Sequence, residues 1–278
     1  MDLMTHLSSL SLFYLTPLLI GFFIFVSIVT LWARTFLIKE TKIQTPNPLV
    51  DRLVDMCAPV FAFLLASVVV MLISNRDRIE QAIQNETDSV TDVIFLSSSL
   101  PKDIQNQIYH DLKSYLFSIK NEEWGTLDKE GSTYTSRVHI ARMIQGINTY
   151  FEQNSQNTYV AQNLIQSVQH LNDARRERHE ASLKKIHPYM WFILFANASL
   201  SLFSLFFFLK RTTAGQCVSI ILISTSFGLI FSVLIAFNSP FKGSLALSSN
   251  VIDDSVKMIE SIHKNIRCTR DTKDTLIS

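Results

Sequence analysis

The chain has 278 residues, 47% of them apolar and 18% charged, with mean hydropathy +0.21; an average soluble domain carries roughly 25% charge. Twenty-five Lys and Arg against 24 Asp and Glu leave a net charge of +1, so the whole chain has no pull toward nucleic acid or an acidic substrate. Seven Gly, seven Pro and three Cys exclude collagen-like, Gly-looped phosphate-binding and disulfide-scaffold architectures, while twenty Phe suit a lipid-facing surface and an integral membrane protein.

Four runs lack any charge: Leu10 to Ala33, Met56 to Ile73, Tyr189 to Leu209 and Gln216 to Phe237. The shortest reaches about 27 Å as a helix, close to a hydrocarbon core of about 30 Å. The first is expected to be a retained span, because residues 1–12 hold no Lys or Arg and the run is too long for a signal peptide.

Four spans put both termini and the long middle segment on one side. The short loops on the other hold Arg34, Lys39, Lys42, Arg52, Lys210 and Arg211, and the N-terminus holds no basic residue. Charge asymmetry therefore assigns the short loops to the cytoplasm and the middle segment to the outside. Against this, Arg175, Arg176, Arg178, Lys184 and Lys185 crowd the approach to span three.

The middle segment reads as helical throughout, with no period-two alternation of useful length. Ile79, Ile83, Val90 and Ile94 continue out of span two. Ile104, Ile108, Leu112, Tyr115 and Ile119 form a second stripe after Pro101, which suits a first helical turn. Gly125 to Ser132 is the most loop-like stretch. Ile140, Ile144, Ile147 and Phe151 form a third stripe, Asn154 to Asn157 break the pattern, and Leu164, Val168 and Leu171 start a fourth that runs to Pro188. After Ser239-Pro240, the residues Ile252, Val256, Ile259 and Ile262 predict one more amphipathic helix before a loose polar tail.

The expected fold is all-α: a polytopic membrane protein of four transmembrane helices with a long helical segment between spans two and three. Its divisions are 1–75 (spans one and two), 76–187 (extramembrane helical domain), 188–238 (spans three and four) and 239–278 (amphipathic helix and tail).

Within the spans, small and polar residues carry the information. Ala58, Ala62 and Ala66 share a stripe on span two, and Ser224, Gly228 and Ser232 share one on span four. Such stripes let helix backbones approach closely. Asn197, Ser201 and Ser204 share a face of span three, and the Asn197 amide should face protein or water. Asn197, Ser201, Ser204, Ser224, Gly228 and Ser232 are candidates for helix packing or for lining an aqueous path. The spans contain no ionisable Asp, Glu, Lys or Arg, which argues against a proton-coupled pump or voltage sensor and leaves a passive pore open.

No nucleophile elbow, zinc-protease helix, Walker loop or paired-cysteine motif is present, so no catalytic residue, cofactor or metal is assigned. His170, Asp173 and Glu177 have a spacing compatible with a metal, but a solvated face accounts for them. Glu122 and Glu123 have no obvious partner. Asp173 can pair with Arg176, and the basic run is matched in height by Asp88 and Asp92 on the segment leaving span two; otherwise it is solvated charge.

Three motifs carry a resemblance. Leu171 to Arg178, with Asp173, Arg175, Arg176 and Arg178, resembles the basic run of the bestrophin-like domain family of uncharacterised bacterial membrane proteins. Asn238-Ser239-Pro240-Phe241-Lys242-Gly243 resembles that family's Asp-x-Pro-Phe-x-Gly turn, with Asn238 where the family usually has Asp. Leu100-Pro101 followed by Glu122-Glu123-Trp124 resembles its mid-segment helix. The resemblance covers roughly residues 50–250. It implies a multi-pass protein of the bacterial inner membrane, a homo-oligomer in the lipid bilayer, and kinship with bestrophins. Those are pentameric anion channels whose termini and middle segment are cytoplasmic, opposite to the side that the loop charges favour. A membrane-anchored sensor or interaction module using the helical segment is the alternative; nucleic acid is not an expected partner.

Overall fold

The computed structural model describes residues 12–37, 48–124, 134–153, 158–208, 213–243 and 245–277. They form eight α-helices: α1 (Leu12–Leu37), α2 (Pro48–Ser97), α3 (Lys102–Ser118), α4 (Tyr134–Gln153), α5 (Thr158–Leu183), α6 (Pro188–Phe208), α7 (Thr213–Phe237) and α8 (Asn250–Ile277). A π-helical turn, Ile119–Glu123, continues α3. No strand occurs among the described residues. The expected loop at Gly125 to Ser132 and the break at Asn154 to Asn157 lie outside them.

Leu12–Ala33, Pro59–Ser97 and Ile220–Phe237 are each long and apolar enough to cross a bilayer. Pro188–Phe203 qualifies only together with Tyr159–Leu183 before it. Helix α6 as a whole, Pro188–Phe208, rises about 32 Å, enough to reach across the hydrocarbon core.

The chain divides into two compact units. Unit 1 comprises Met1–Ser74 and Lys185–Ala246; unit 2 comprises Asn75–Lys184 and Leu247–Ser278. Helix α2 contributes to both, because the apolar run of span two gives way to an amphipathic stripe without a Gly or Pro to stop the helix.

Unit 1 is built on aromatic packing. Phe23 of α1, Phe61 of α2 and Phe231 of α7 are buried. The Phe23 ring lies 5.2 Å from Phe231 and 5.6 Å from Phe227, and Phe195 of α6 lies 4.5 Å from Phe231. Phe61 meets Phe227 edge-on at 5.1 Å. Each such pair is worth about 0.5–1.5 kcal/mol beyond its area. The phenylalanines thus serve two purposes: these make the interior, while Phe13, Phe25 and Phe192 face outward as a lipid-facing surface requires.

In unit 2, Ile79, Val90 and Ile94 of α2, Ile108, Leu112 and Tyr115 of α3, and Leu164, Val168 and Leu171 of α5 are all buried. The predicted stripes are the core. Helix α8 also belongs here: Ile252 and Ile259 are buried, Lys113 pairs with Glu260 at 2.6 Å, and Tyr109 stacks on His263 at 4.0 Å. It continues to Ile277, through the residues expected to be loose. Asn75 donates through Nδ2 to the carbonyls of Ala181 (3.1 Å) and Lys184 (3.3 Å), tying α2 to the end of α5.

Candidate functional site: a buried ionic cluster and a glycine contact

The basic run lies at the end of α5, where the stripe Leu164, Val168, Leu171 is prolonged at helical spacing by Arg175 and Arg178. Those two arginines therefore point into the core of unit 2, with side chains 4% and 0% exposed. Charges are rarely buried unless paired, and these are paired. Arg178 makes a two-pronged contact with Glu86 of α2, Nε to Oε2 at 2.7 Å and Nη2 to Oε1 at 3.3 Å. Its Nη2 also reaches Oε2 of Glu123 at 3.2 Å. Arg175 donates through Nη2 to the other oxygen of Glu123 at 3.1 Å. Tyr115 donates its hydroxyl to Glu86, and Ser136 of α4 donates to Glu123. Two guanidinium groups and two carboxylates thus close a neutral cluster that joins α2, α3, the π turn, α4 and α5.

The electrostatics follow from this arrangement. Burial alone would raise the Glu123 carboxyl, but Arg178 and Arg175, with the Ser136 hydroxyl, outweigh it and hold Glu123 below the usual carboxylate range. Burial would likewise lower Arg178, yet Glu86, Tyr115 and Glu123 keep it charged and raise it further. Burial and the Glu86 charge push the Tyr115 hydroxyl well up, so it stays a donor. The Trp124 ring lies 5.9 Å from the Arg178 guanidinium carbon, and its indole Nε1 donates to the Leu247 carbonyl at 3.2 Å.

Several expectations are corrected here. Glu123 has partners, and it is the bridge of the cluster. The arginines do reach the segment leaving span two, but they bind Glu86, not Asp88 or Asp92, because only Glu86 falls on the buried stripe between Ile83 and Val90; Asp88 and Asp92 are exposed. The run is not solvated charge as a whole. Arg176 alone points outward, and it pairs with Glu180 at 2.8 Å rather than with Asp173. Asp173 is exposed. His170 sits 3.4 Å from Gln166, and Glu177 pairs with Arg78 at 2.9 Å. No group of three His, Cys, Asp or Glu that could hold a metal occurs among the described residues.

In unit 1, the stripe on α7 faces α1. A methyl group placed on Gly228 would come within 2.8 Å of the Ile20 backbone nitrogen and Cα. The Ser224 hydroxyl lies 3.2 Å from that of Ser27, which itself donates to the Phe23 carbonyl. Ser232 is buried and donates to the Leu229 carbonyl at 2.8 Å. Asn197 is half-buried and its amide turns back to the Ile193 carbonyl at 3.3 Å. Ser201 is half-buried, and the side chain of Ser204 lies outside the described residues. On α2, Ala62 and Ala66 are exposed, so that stripe is not covered within unit 1; the Ala58 side chain lies outside the described residues.

The turn after α7 is also part of unit 1. Asn238 accepts the Ile186 N–H through Oδ1 at 2.8 Å, in the unwound stretch before α6. Pro240 and Phe241 are buried, and Gly243 has φ 85, a conformation that L side chains rarely adopt. An Asp in place of Asn238 would accept the same bond, so the change of charge leaves this contact intact.

A model of the bestrophin-like domain matches residues 20–252. The chain belongs to the bestrophin-like domain family. No curated protein matches it. Solved structures do: three single-residue variants of a bacterial bestrophin homologue from Klebsiella pneumoniae are similar in fold at 12%, 13% and 14% identity. Their TM-scores are 0.70, 0.67 and 0.66, over 89%, 91% and 89% of this chain and 98% of each of theirs. Within this bestrophin-like chain, the ionic cluster was only half legible. No spacing in the sequence assigns Glu86, Tyr115 or Ser136 to it. The signal was there for the charged ones: an acid at position 86 and bases at 175 and 178 continue apolar stripes, where a solvated residue has no place.

Proposed function

We propose that the chain is one subunit of an oligomeric bestrophin-like channel for small ions, with four spans. Family membership over residues 20–252 carries this reading. The apolar runs contain no Asp, Glu, Lys or Arg, which suits passive conduction rather than coupled transport. The small-residue stripe of α7 is used within unit 1 by α1, whereas Ala62, Ala66 and Ser67 of α2 are exposed beside Val60, Phe63 and Val70. That uncovered face of α2 is the surface that a ring of subunits would use, either against a neighbour or along the axis. Kinship with bestrophins supports a pentamer in the inner membrane and a cytoplasmic unit 2. The loop charges support the opposite side, and we give kinship precedence because the match spans most of the chain.

Native mass measurement of the detergent-purified protein tests the assembly, with a closed ring of five expected and a monomer contradicting it. Reporter fusions after residues 130 and 270 should agree with each other and oppose one within 40–48. Agreement of all three would mean that the span count is wrong.

A further inference from the structure

Unit 2 contains a second polar feature, separate from the ionic cluster. Helices α3 and α4 border a cleft of about 580 Å³ lined by Asp111, Asp103, Gln107, Arg142 and Gln145. Asp111 is only 9% exposed, yet its carboxylate has no hydrogen-bond or ion-pair partner among the described residues. Arg142 has none either, although its charge is felt at Asp111. The Asp111 carboxylate is left facing the cleft, and its partial burial raises its pKa despite the opposing influence of His139, Arg142 and His110. Gly146 lies in the wall of the cleft. A methyl group there would meet the Gln107 amide nitrogen at 2.8 Å, so the bare backbone of α4 lets that amide lie along the wall.

We propose that this cleft binds a small amino-acid-like zwitterion, its ammonium group on Asp111 and its carboxylate on Arg142. A cation alone would use only Asp111 and an anion alone only Arg142, whereas a zwitterion engages both walls of the cleft. The glutamine amides at 107 and 145 can serve both as donors and as acceptors, which fits a peptide-like amide between the two charges. A metal ion is a poorer match, because no trio of metal-ligating side chains gathers among the described residues. This site does not depend on ion conduction.

The test uses the full-length protein in detergent and isothermal titration calorimetry with three probes. Glycylglycine carries the ammonium, the amide and the carboxylate; N-acetylglycine lacks the ammonium; glycinamide lacks the carboxylate. Saturable glycylglycine binding is expected, at least tenfold tighter than either analogue. Asp111→Asn, which keeps the shape of the side chain, should weaken glycylglycine at least tenfold without loss of helix content by circular dichroism. Arg142→Gln should abolish the preference for glycylglycine over glycinamide. Arg176→Ala, outside the cleft, should bind as the parent does. Absence of saturable glycylglycine binding to the folded protein would overturn the proposal, as would equal affinity for N-acetylglycine.

Discussion

The two units solve the problem of holding helices together in opposite ways. Unit 1 uses close approach and ring packing: Gly228 against the Ile20 backbone, Ser224 against Ser27, and phenylalanines from α1, α2 and α6 around Phe227 and Phe231 of α7. Unit 2 has an ordinary apolar core, yet it buries four charges at its centre. Lipid cannot drive apolar helices together, so geometry must do so in unit 1. In unit 2 the apolar core already provides the driving force, and a cluster of fixed geometry adds specificity of register between α2 and α5. Unit 1 should therefore be sensitive to volume, and unit 2 to unbalanced charge.

The largest effect is expected from Arg178→Ala, which leaves Glu86 and Glu123 buried with their main partner gone. Breaking a buried pair in this way typically costs about 3–5 kcal/mol, read as a loss of stability in denaturant unfolding. The paired replacement Arg178→Met with Glu86→Leu should recover a large part of that loss. If Arg178→Ala is as stable as the parent, the cluster does not hold unit 2.

Gly228→Leu is the counterpart in unit 1. Its side chain would have to enter the Ile20 backbone, and overpacking of this kind typically costs 1–3 kcal/mol. Leu229, which is 49% exposed, should tolerate Ala with little change in thermal stability. The reverse pattern would mean that α7 turns a different face to α1.

Within unit 2, the pH response separates the two buried acids. Glu123 has a folded-state pKa below its unfolded value, so its contribution to stability is present above the unfolded pKa and is lost as pH falls through the folded one. Asp111 has a raised folded-state pKa, so its contribution has the opposite sign: stability is lost as pH rises through that value. Asp111→Asn should therefore stabilise unit 2 at neutral pH. Melting temperatures of the two proteins between acid and neutral pH check this; an Asn variant that melts lower at neutral pH contradicts it.

The smallest effect is expected at Arg176. Its pair with Glu180 is fully in water, where such pairs contribute little. Arg176→Ala should leave the melt unchanged, and a cycle with Asp92→Ala should be additive, since the two side chains are not partners.

What the sequence made legible follows the same division. The helices of unit 2 and their buried stripes are set by periodicity, and Ile79, Tyr115, Val168 and Ile259 all lie where that period puts them. The small-residue stripe of α7 was visible for the same reason. What periodicity alone leaves open is the partner. Nothing in the spacing of Glu123 says that it meets Arg175 and Arg178, because that depends on how α5 and the π turn pack in three dimensions. The charged residues could still have been sorted by phase: Arg175 and Arg178 share the phase of Leu171, and Arg176 does not. The Asp111 cleft is not legible in the sequence, since a largely buried Asp facing Arg142 across a cleft exists only once α3 and α4 are packed.

The central claim is that the chain assembles into a channel, and ion current measures it most directly. Purified oligomer reconstituted into planar bilayers should give discrete, passive currents that follow the applied ion gradient, with no requirement for a proton gradient. Ala66→Glu, on the exposed face of α2, should change the amplitude or the ion preference of those currents. An intact oligomer that remains electrically silent under symmetric and asymmetric salt would contradict the account.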